Sequence, residues 1–208
     1  MANDQQQLWN TLHQKNKAEL NEPTDFAKEV QRMFSSKVKI LELGCGSGSD
    51  SYFFALQGNS VIATDFSEIA IKKNKSKHTM SQLEFQVMDI SKKMQFSDKK
   101  FDLVYSRLSL HYFTDKVTKS IFKEIHRVLK PSGYLCFVCK STKDPLYGKG
   151  EKIEKDLFEN EGHIRHYFSD EYVRECLAGL FGITKLTSGK EHFYGSLSAF
   201  IKVIAQKK

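Results

Sequence analysis

The chain is predicted to be an α/β protein, a mostly parallel sheet with helices on both faces and an antiparallel hairpin at its C-terminal end. Three observations carry this. Short apolar, β-branched runs alternate with helix-like runs through most of the 208 residues, the pattern of a parallel sheet covered on both sides. The first such run, Val38 to Leu43, breaks into alternating glycines at Gly44, Gly46 and Gly48, where the backbone can turn sharply and approach a ligand closely. The tail from Phe181 to Lys208 gives two further strand-like runs separated around Tyr194-Gly195, which fits a hairpin.

Taken in order, residues 4–34 read as two polar helices interrupted by Asn21-Glu22-Pro23-Thr24. A buried strand is expected at 37–43, a helix at 49–57, a strand at 59–65, a helix at 67–78 and strands at 82–88 and 101–106. The helix at 114–129 opens at a plausible Thr114 cap with Asp115 in its first turn. It ends before Pro131-Ser132-Gly133, a turn feeding a fifth strand at 133–140. With the terminal pair, the sheet has seven strands. Residues 141–168 are longer than a minimal connection and hold Asp144-Pro145, Tyr147, Gly148, Gly150 and Gly162; long connections in compact domains are usually lids or binding loops. A helix follows from Ser169.

Length fits one domain spanning 1–208, long enough to bury a core. Apolar content of 40% and charged content of 27% are ordinary for a globular protein. No run of apolar residues is long enough to span a bilayer, and the polar start Met1 to Gln7 lacks an apolar signal core. A cytoplasmic protein with no membrane partner is expected. Cys45, Cys136, Cys139 and Cys176 are too few and scattered for a disulfide framework. Cys136 and Cys139, three apart on a strand, point to opposite faces and read as core rather than as a metal or redox pair. Net charge is +7, but the lysines are dispersed and the densest cluster, Lys72 to Lys77, reads as the solvated face of a helix. Nucleic acid is therefore an unlikely partner. There is no internal repeat.

The glycine turn is followed, after a helix and a strand, by Asp65, a carboxylate suited to two ribose hydroxyls as in the dinucleotide folds. Yet the spacing is Gly-x-Gly-x-Gly; the dinucleotide fingerprint would need a glycine where Ser49 stands. A dinucleotide puts pyrophosphate at the helix N-terminus, where amides favour an anion. Here Glu42 precedes the first glycine by two residues, and a carboxylate suits a cation.

This spacing resembles the first motif of the class I S-adenosylmethionine-dependent methyltransferases, whose sheet is Rossmann-like, and the later motifs fall in that family's order across residues 37–140. The resemblance implies S-adenosylmethionine as cofactor. Glu42, Gly44, Cys45, Gly46 and Gly48 would lie along its methionyl part, Asp65 on the ribose diol and Phe66 against adenine. Met88-Asp89-Ile90 is similar to the adenine-contacting motif, with Asp89 accepting the adenine amino group. Phe101 to Ser106 resembles the fourth motif, whose carboxyl end at Ser106 borders the cleft. In small methyltransferases the N-terminal helices, here 1–34, close over the cofactor, and Trp9 is the residue to test in such a lid. Residues 141–208 would supply a substrate-side insertion and the hairpin.

Simpler readings stand beside these. Asp65-Phe66-Ser67 also reads as a helix entry capped by Ser67, Asp89 as a turn residue, and Trp9 as a packing anchor.

On the substrate side, Arg107 to Phe113 would border the transferable methyl group, and His111 reads equally as a base, an orienter of the acceptor or a core histidine. Gly162 to Phe168 concentrates cationic and aromatic side chains. Its layout resembles the tellurite-resistance-type methyltransferases, which implies roles for Arg165, a planar donor fork for an oxyanion, and for His192 in the last hairpin. Arg165 reads equally as a surface residue. His163 and His166, even with Asp144 or Glu161, do not fix a metal site, and none is expected. Methyl transfer from a sulfonium is an in-line displacement, so positioning in a dry cleft carries most of it and a general base is optional. The expected acceptor is a small molecule, an anion, thiol or oxyanion. An RNA or protein methyltransferase, a nicotinamide oxidoreductase and a non-catalytic nucleoside-binding protein stay open, as does the oligomeric state.

Overall fold

A computed structural model describes residues 2–15, 22–193 and 195–208. Asn21 and Tyr194, assigned above to the helix interruption and the hairpin turn, lie outside the described residues.

The centre of the fold is a parallel pairing of short apolar runs. Strand β1 (Lys39–Leu43) lies between β2 (Ser60–Asp65) and β4 (Phe101–Arg107). Outside β2 runs β3 (Leu83–Val87), and outside β4 runs β5 (Leu129–Lys140), all parallel. Strand β10 (Ser196–Lys207) pairs antiparallel with β5, and β9 (Phe181–Phe193) antiparallel with β10. The order is β3-β2-β1-β4-β5-β10-β9, seven strands as expected.

Alternation along the strands feeds two cores. Ile40, Val61, Ala63, Leu103 and Tyr105 face α2 (Asp25–Gln31), α3 (Ser49–Leu56) and α4 (Glu68–Lys77). Leu41, Leu43, Val104, Leu135 and Phe137 face α5 (Asp115–Val128) and α6 (Asp170–Leu177). Cys136 belongs to the first core and Cys139 to the second, so the two thiols are on opposite faces. Thr24, Ser67 and Ser169 cap α2, α4 and α6 through side-chain oxygens. Thr114 stands at the start of α5 without a side-chain cap; the Asp115 N–H donates instead to Glu154 Oε2 at 3.0 Å.

Two stretches differ from the sequence expectation. Residues 141–168 contain a second sheet, β6 (Glu151–Glu154), β7 (Leu157–Asn160) and β8 (His163–His166), in antiparallel order. Its second turn is Glu161-Gly162, with φ of 53° and 78°, the left-handed pair that a two-residue hairpin needs. Glutamate in that position carries no turn signal in sequence, which hides the hairpin. Secondly, Pro131-Ser132-Gly133 lies inside β5 as a bulge: Phe101 pairs with Leu129, then Leu103 with Tyr134, and proline is tolerated where the ladder opens. The N-terminal helix α1 (Ala2–Lys15) packs across α4 and reaches the small sheet, where Gln5 Nε2 donates to Gly162 O at 3.0 Å.

The connection from β3 to β4 forms no helix or strand. Arg127 at the end of α5 holds it, donating to Met94 O, Phe96 O and Asp98 Oδ1 at 2.7–2.9 Å while its Nε and Nη2 also donate to Glu124. Replacing Arg127 by Met leaves those carbonyls without their donor. Arg127→Met is expected to lower stability in urea by about 2 kcal/mol and to speed tryptic cleavage at Lys92, Lys93, Lys99 or Lys100 relative to wild type.

Candidate active site

The carboxyl ends of β1, β2 and β4 meet at the glycine turn. Gly44, Gly46 and Gly48 all have left-handed φ, 75°, 51° and 77°, a region costly for side-chain-bearing residues. A Cβ on Gly44 would stand 2.3 Å from that of Ser109, and one on Gly48 would stand 3.0 Å from the Asn74 amide. Over Gly46 the nearest atom is His13 Cε1 of α1 at 3.8 Å. The Gly44 and Cys45 amides donate to Thr64 O at 2.8 and 2.9 Å, tying the turn to β2. Ser109 Oγ donates to Leu43 O at 2.7 Å and lies 2.6 Å from Ser106 Oγ, so the loop after β4 supports the turn from behind.

Two carboxylates flank this turn. Asp65, 8% exposed, receives the Gly46 amide at 2.9 Å on Oδ2 and the Ser67 amide at 2.8 Å on Oδ1. Glu42, 3% exposed, accepts a short hydrogen bond from Ser51 Oγ. Beside it Asp50 accepts from Tyr105 OH at 2.7 Å and from Thr24, through its N–H and Oγ1, both at 2.8 Å. Burial, with the neighbouring Asp50 and Asp65 carboxylates, pushes the Glu42 carboxyl up to about 8, against the Ser51 hydrogen bond and the Arg107 charge. Burial and the Asp65 and Glu42 carboxylates push the Cys45 thiol upward, leaving it protonated and unreactive. The turn is thus acidic. That donor set suits a cation and repels a pyrophosphate.

α1 spans the open side. Gln6 Nε2 donates to Phe66 O at 3.0 Å, and Asn10 Oδ1 accepts from Ser67 Oγ at 2.8 Å. Trp9 stands edge-on to Tyr112 at 4.9 Å and to His163 at 5.3 Å between ring centroids. Phe66 is half-buried beneath this helix.

The segment after β4 meets β8 across the cleft mouth. His166 N–H donates to His111 O at 2.8 Å. His111 is 0% exposed, stacked on Tyr112, and neither ring nitrogen has a hydrogen-bond partner. Burial, then the Lys140, Arg165 and His166 charges, hold its imidazole well below its ordinary range, so it is neutral. On β8, alternation puts His163 and Arg165 on one face and His166 on the other. His163 Nδ1, Arg165 Nε and His166 Nδ1 are all buried without hydrogen-bond partners, and the His166 ring packs on Tyr172 and Phe168. The two histidines therefore do not converge, and no group of three or more metal-ligating side chains occurs among the described residues.

Other site residues fall less centrally. Asp89 accepts from Ser91 N–H at 3.0 Å and Ser91 Oγ at 2.6 Å, the geometry of a turn. Ile90 is buried in the α5-side core. His192 is exposed on β9, and no described contact joins it to His111 or Arg165.

Comparison with known proteins agrees with this turn. Residues 41–137 match the methyltransferase domain family. That match takes in a little under half of the chain, from the first strand of the glycine turn to the fifth strand of the sheet. An uncharacterized methyltransferase of Synechocystis is 33% identical over 100 residues, covering 48% of this chain and 46% of that protein. A malonyl-[acyl-carrier protein] O-methyltransferase of Hamiltonella defensa is 28% identical over 156 residues, 74% of this chain and 57% of that one. The chain thus spans about half the length of these curated relatives. In fold, it is similar to a SAM-dependent methyltransferase of Methanosarcina mazei, with a TM-score of 0.77 at 24% identity over 90% of this chain and 99% of that one. It is also similar to the 1,6-didemethyltoxoflavin-N1-methyltransferase of Burkholderia thailandensis, solved with S-adenosylhomocysteine, with a TM-score of 0.71 at 19% identity over 88% and 76% of the two chains.

Four residues of this site were not legible as functional in sequence. Ser109 fills the space behind Gly44; Asn74 on α4 donates to Gly46 O at 2.9 Å; Asp50 sets the charge beside Glu42; Asn10 joins α1 to the end of β2. Each is a small polar residue whose partner lies far along the chain, and only a helix-face reading of 49–57 and 67–78 gives the inward positions of Asp50 and Asn74.

The raised Glu42 carboxyl makes stability depend on pH. Its folded value of about 8 exceeds its ordinary 4.5, so the folded state binds this proton more tightly and stability falls as pH rises through that window. Thermal unfolding of wild type and Glu42→Gln between pH 6 and 9 is expected to show wild type losing stability relative to the variant as pH rises.

Proposed function

We propose that this protein transfers a methyl group from S-adenosylmethionine to a small-molecule acceptor that is anionic or presents a thiol or oxyanion. The observation that carries the cofactor side is the acidic glycine turn: Glu42 and Asp65 bracket three left-handed glycines, a site fitted to a cationic nucleoside. When bound, S-adenosylmethionine supplies an electrophilic methyl on a sulfonium.

Each residue then has a role. Gly44, Cys45, Gly46 and Gly48 let the main chain lie against the methionyl part, and Glu42, once ionised, pairs with the α-ammonium. Asp65 exchanges its Gly46 and Ser67 amide bonds in part for ribose hydroxyls. Phe66 covers adenine, Asp89 and Ile90 border it, and Ser106 holds the loop through Ser109. α1, with Trp9 on Tyr112 and His163, excludes water and acts as the lid. Excluding water strengthens every charge interaction inside the cleft.

The acceptor side rests on Arg165 and His111. A guanidinium whose Nε is buried without a partner offers a donor to an anionic acceptor. A neutral His111 can accept a proton from an acceptor that arrives protonated, whereas an acceptor already anionic needs only orientation. His192, on the exposed rim, contributes only if the hairpin tip turns inward over the acceptor. Relatives named for methylating malonyl-acyl-carrier protein and demethylmenaquinone are consistent with acceptors that are not macromolecular surfaces in bulk.

Calorimetry with S-adenosylmethionine, S-adenosylhomocysteine and NAD tests this reading. Binding of both sulfur ligands and not of NAD is expected, with Asp65→Ala losing that binding while keeping the wild-type far-UV spectrum. Binding of NAD alone, or wild-type affinity in the folded variant, refutes it. Turnover is then read with a panel of thiols and oxyanions, on which Arg165→Ala is expected to raise KM more than it lowers kcat.

A further inference from the structure

Trp9, the one tryptophan of the chain, rests in a socket with two walls, Tyr112 at 4.9 Å and His163 at 5.3 Å between ring centroids. Both walls depend on β8. His163 belongs to that strand, and beside it the Gly162 carbonyl accepts from Gln5 of α1 at 3.0 Å. Tyr112 belongs to the segment after β4, which His166 holds from the other face of the strand.

His166 grips that segment at two points. Its backbone N–H donates to His111 O at 2.8 Å, and its ring hydrogen-bonds to the Phe113 backbone. Tyr112 therefore lies between two carbonyls held by one residue, with its own ring stacked on His111 at 4.4 Å. The His166 ring is in turn fixed. It is buried, at 2% exposure, and packs on Tyr172 of α6 at 4.4 Å and on Phe168 at 5.4 Å. Phe168 N–H donates to Lys140 O at 2.9 Å, so the exit of β8 is anchored to β5. Burial holds the His166 imidazole below its ordinary range, so it is neutral. Nδ1 has no partner, which puts the single proton on Nε2, facing Phe113.

We propose that His166 is a positioning residue: by holding residues 111–113 it seats Tyr112, and through Tyr112 it sets how α1 closes over the cofactor. This rests on the lid reading given above. It gives the small sheet of residues 151–166 a part in cofactor binding besides bordering the acceptor, since β8 supplies one wall of the Trp9 socket directly and the other through His166. The first helix and the insertion, far apart in the chain, act as one closing device.

The test reads Trp9 emission and calorimetric binding of S-adenosylhomocysteine in the full chain. His166→Phe keeps the ring volume and the backbone bond to His111 but removes the Nε2 donor; His166→Gln restores a donor at the same reach. With unchanged far-UV spectra, His166→Phe is expected to red-shift Trp9 emission, raise its quenching by acrylamide and weaken binding about fivefold, the scale of one neutral hydrogen bond. His166→Gln is expected to recover most of these losses. Trp9→Ala weakens binding as well, and adding His166→Phe to it is expected to cost less than about twofold more, because both changes act through one contact. If His166→Phe does not fold, His166→Asn, whose amide stops short of Phe113, takes its place. Unchanged quenching in the folded variant, additive losses in the double variant, or no recovery with His166→Gln overturns the assignment. Absence of binding in wild type overturns the cofactor reading instead, and the Trp9 signal then still decides whether His166 seats the helix.

Discussion

The Asp65 carboxylate is the constraint on which the site depends. One of its oxygens holds the Gly46 amide and the other the Ser67 amide, so the tip of the glycine turn after β1 and the start of α4 are fastened to the end of β2. A turn of three left-handed residues has little intrinsic preference for one shape. Here the Thr64 carbonyl fixes its base, Asp65 its tip and Asn74 its far side. Ser109 then closes the space behind Gly44 so tightly that no side chain fits. The glycines are thus required by neighbours as well as by backbone angles, and the loop after β4 is positioned by the same contact.

Around that turn the electrostatics invert those of the chain as a whole. The protein carries a net charge of +7, yet Glu42, Asp50 and Asp65 gather within one buried region at the carboxyl ends of the central strands. Like charges so placed cannot all remain ionised at low cost. Asp50 accepts three hydrogen bonds from Thr24 and Tyr105, and burial beside it raises Glu42, the member that takes up a proton. Because Thr24 is also the cap of α2, the second helix is anchored to the same acidic cluster.

Much of this could be read before any coordinates. The spacing of Gly44, Gly46 and Gly48, the β-branched runs and the terminal hairpin foretold the sheet and the left-handed turn at its carboxyl edge because strand periodicity and glycine geometry are local properties. What escaped was non-local. Asp50 reads as an ordinary first-turn acid of α3, yet its partners are 26 and 55 residues away. The Glu161-Gly162 turn carries a residue that ordinarily avoids positive φ, so β6 to β8 read as a long loop. His111 sits in a sequence that suits a base or a core residue equally, and its burial with both nitrogens unpartnered is visible only once β8 is placed across it.

The separation of charge between the two sides of the cleft has a chemical consequence. The turn that would hold a sulfonium is acidic, while the residues beyond the methyl position, Arg165 on β8 and Lys140 at the end of β5, are cationic. Lys140 is committed to Asp144 and Ser198, whereas the buried Arg165 Nε has no hydrogen-bond partner among the described residues. A cation placed against the turn and an anion placed against β8 are thereby drawn to opposite walls. The line joining them crosses the segment from Arg107 to Tyr112 on which Trp9 closes from above. In-line displacement needs donor and acceptor on such an axis. On the reading proposed above, opposed fields at its two ends would orient both partners without a dedicated base, so that His111, held neutral by its burial, need not act as one.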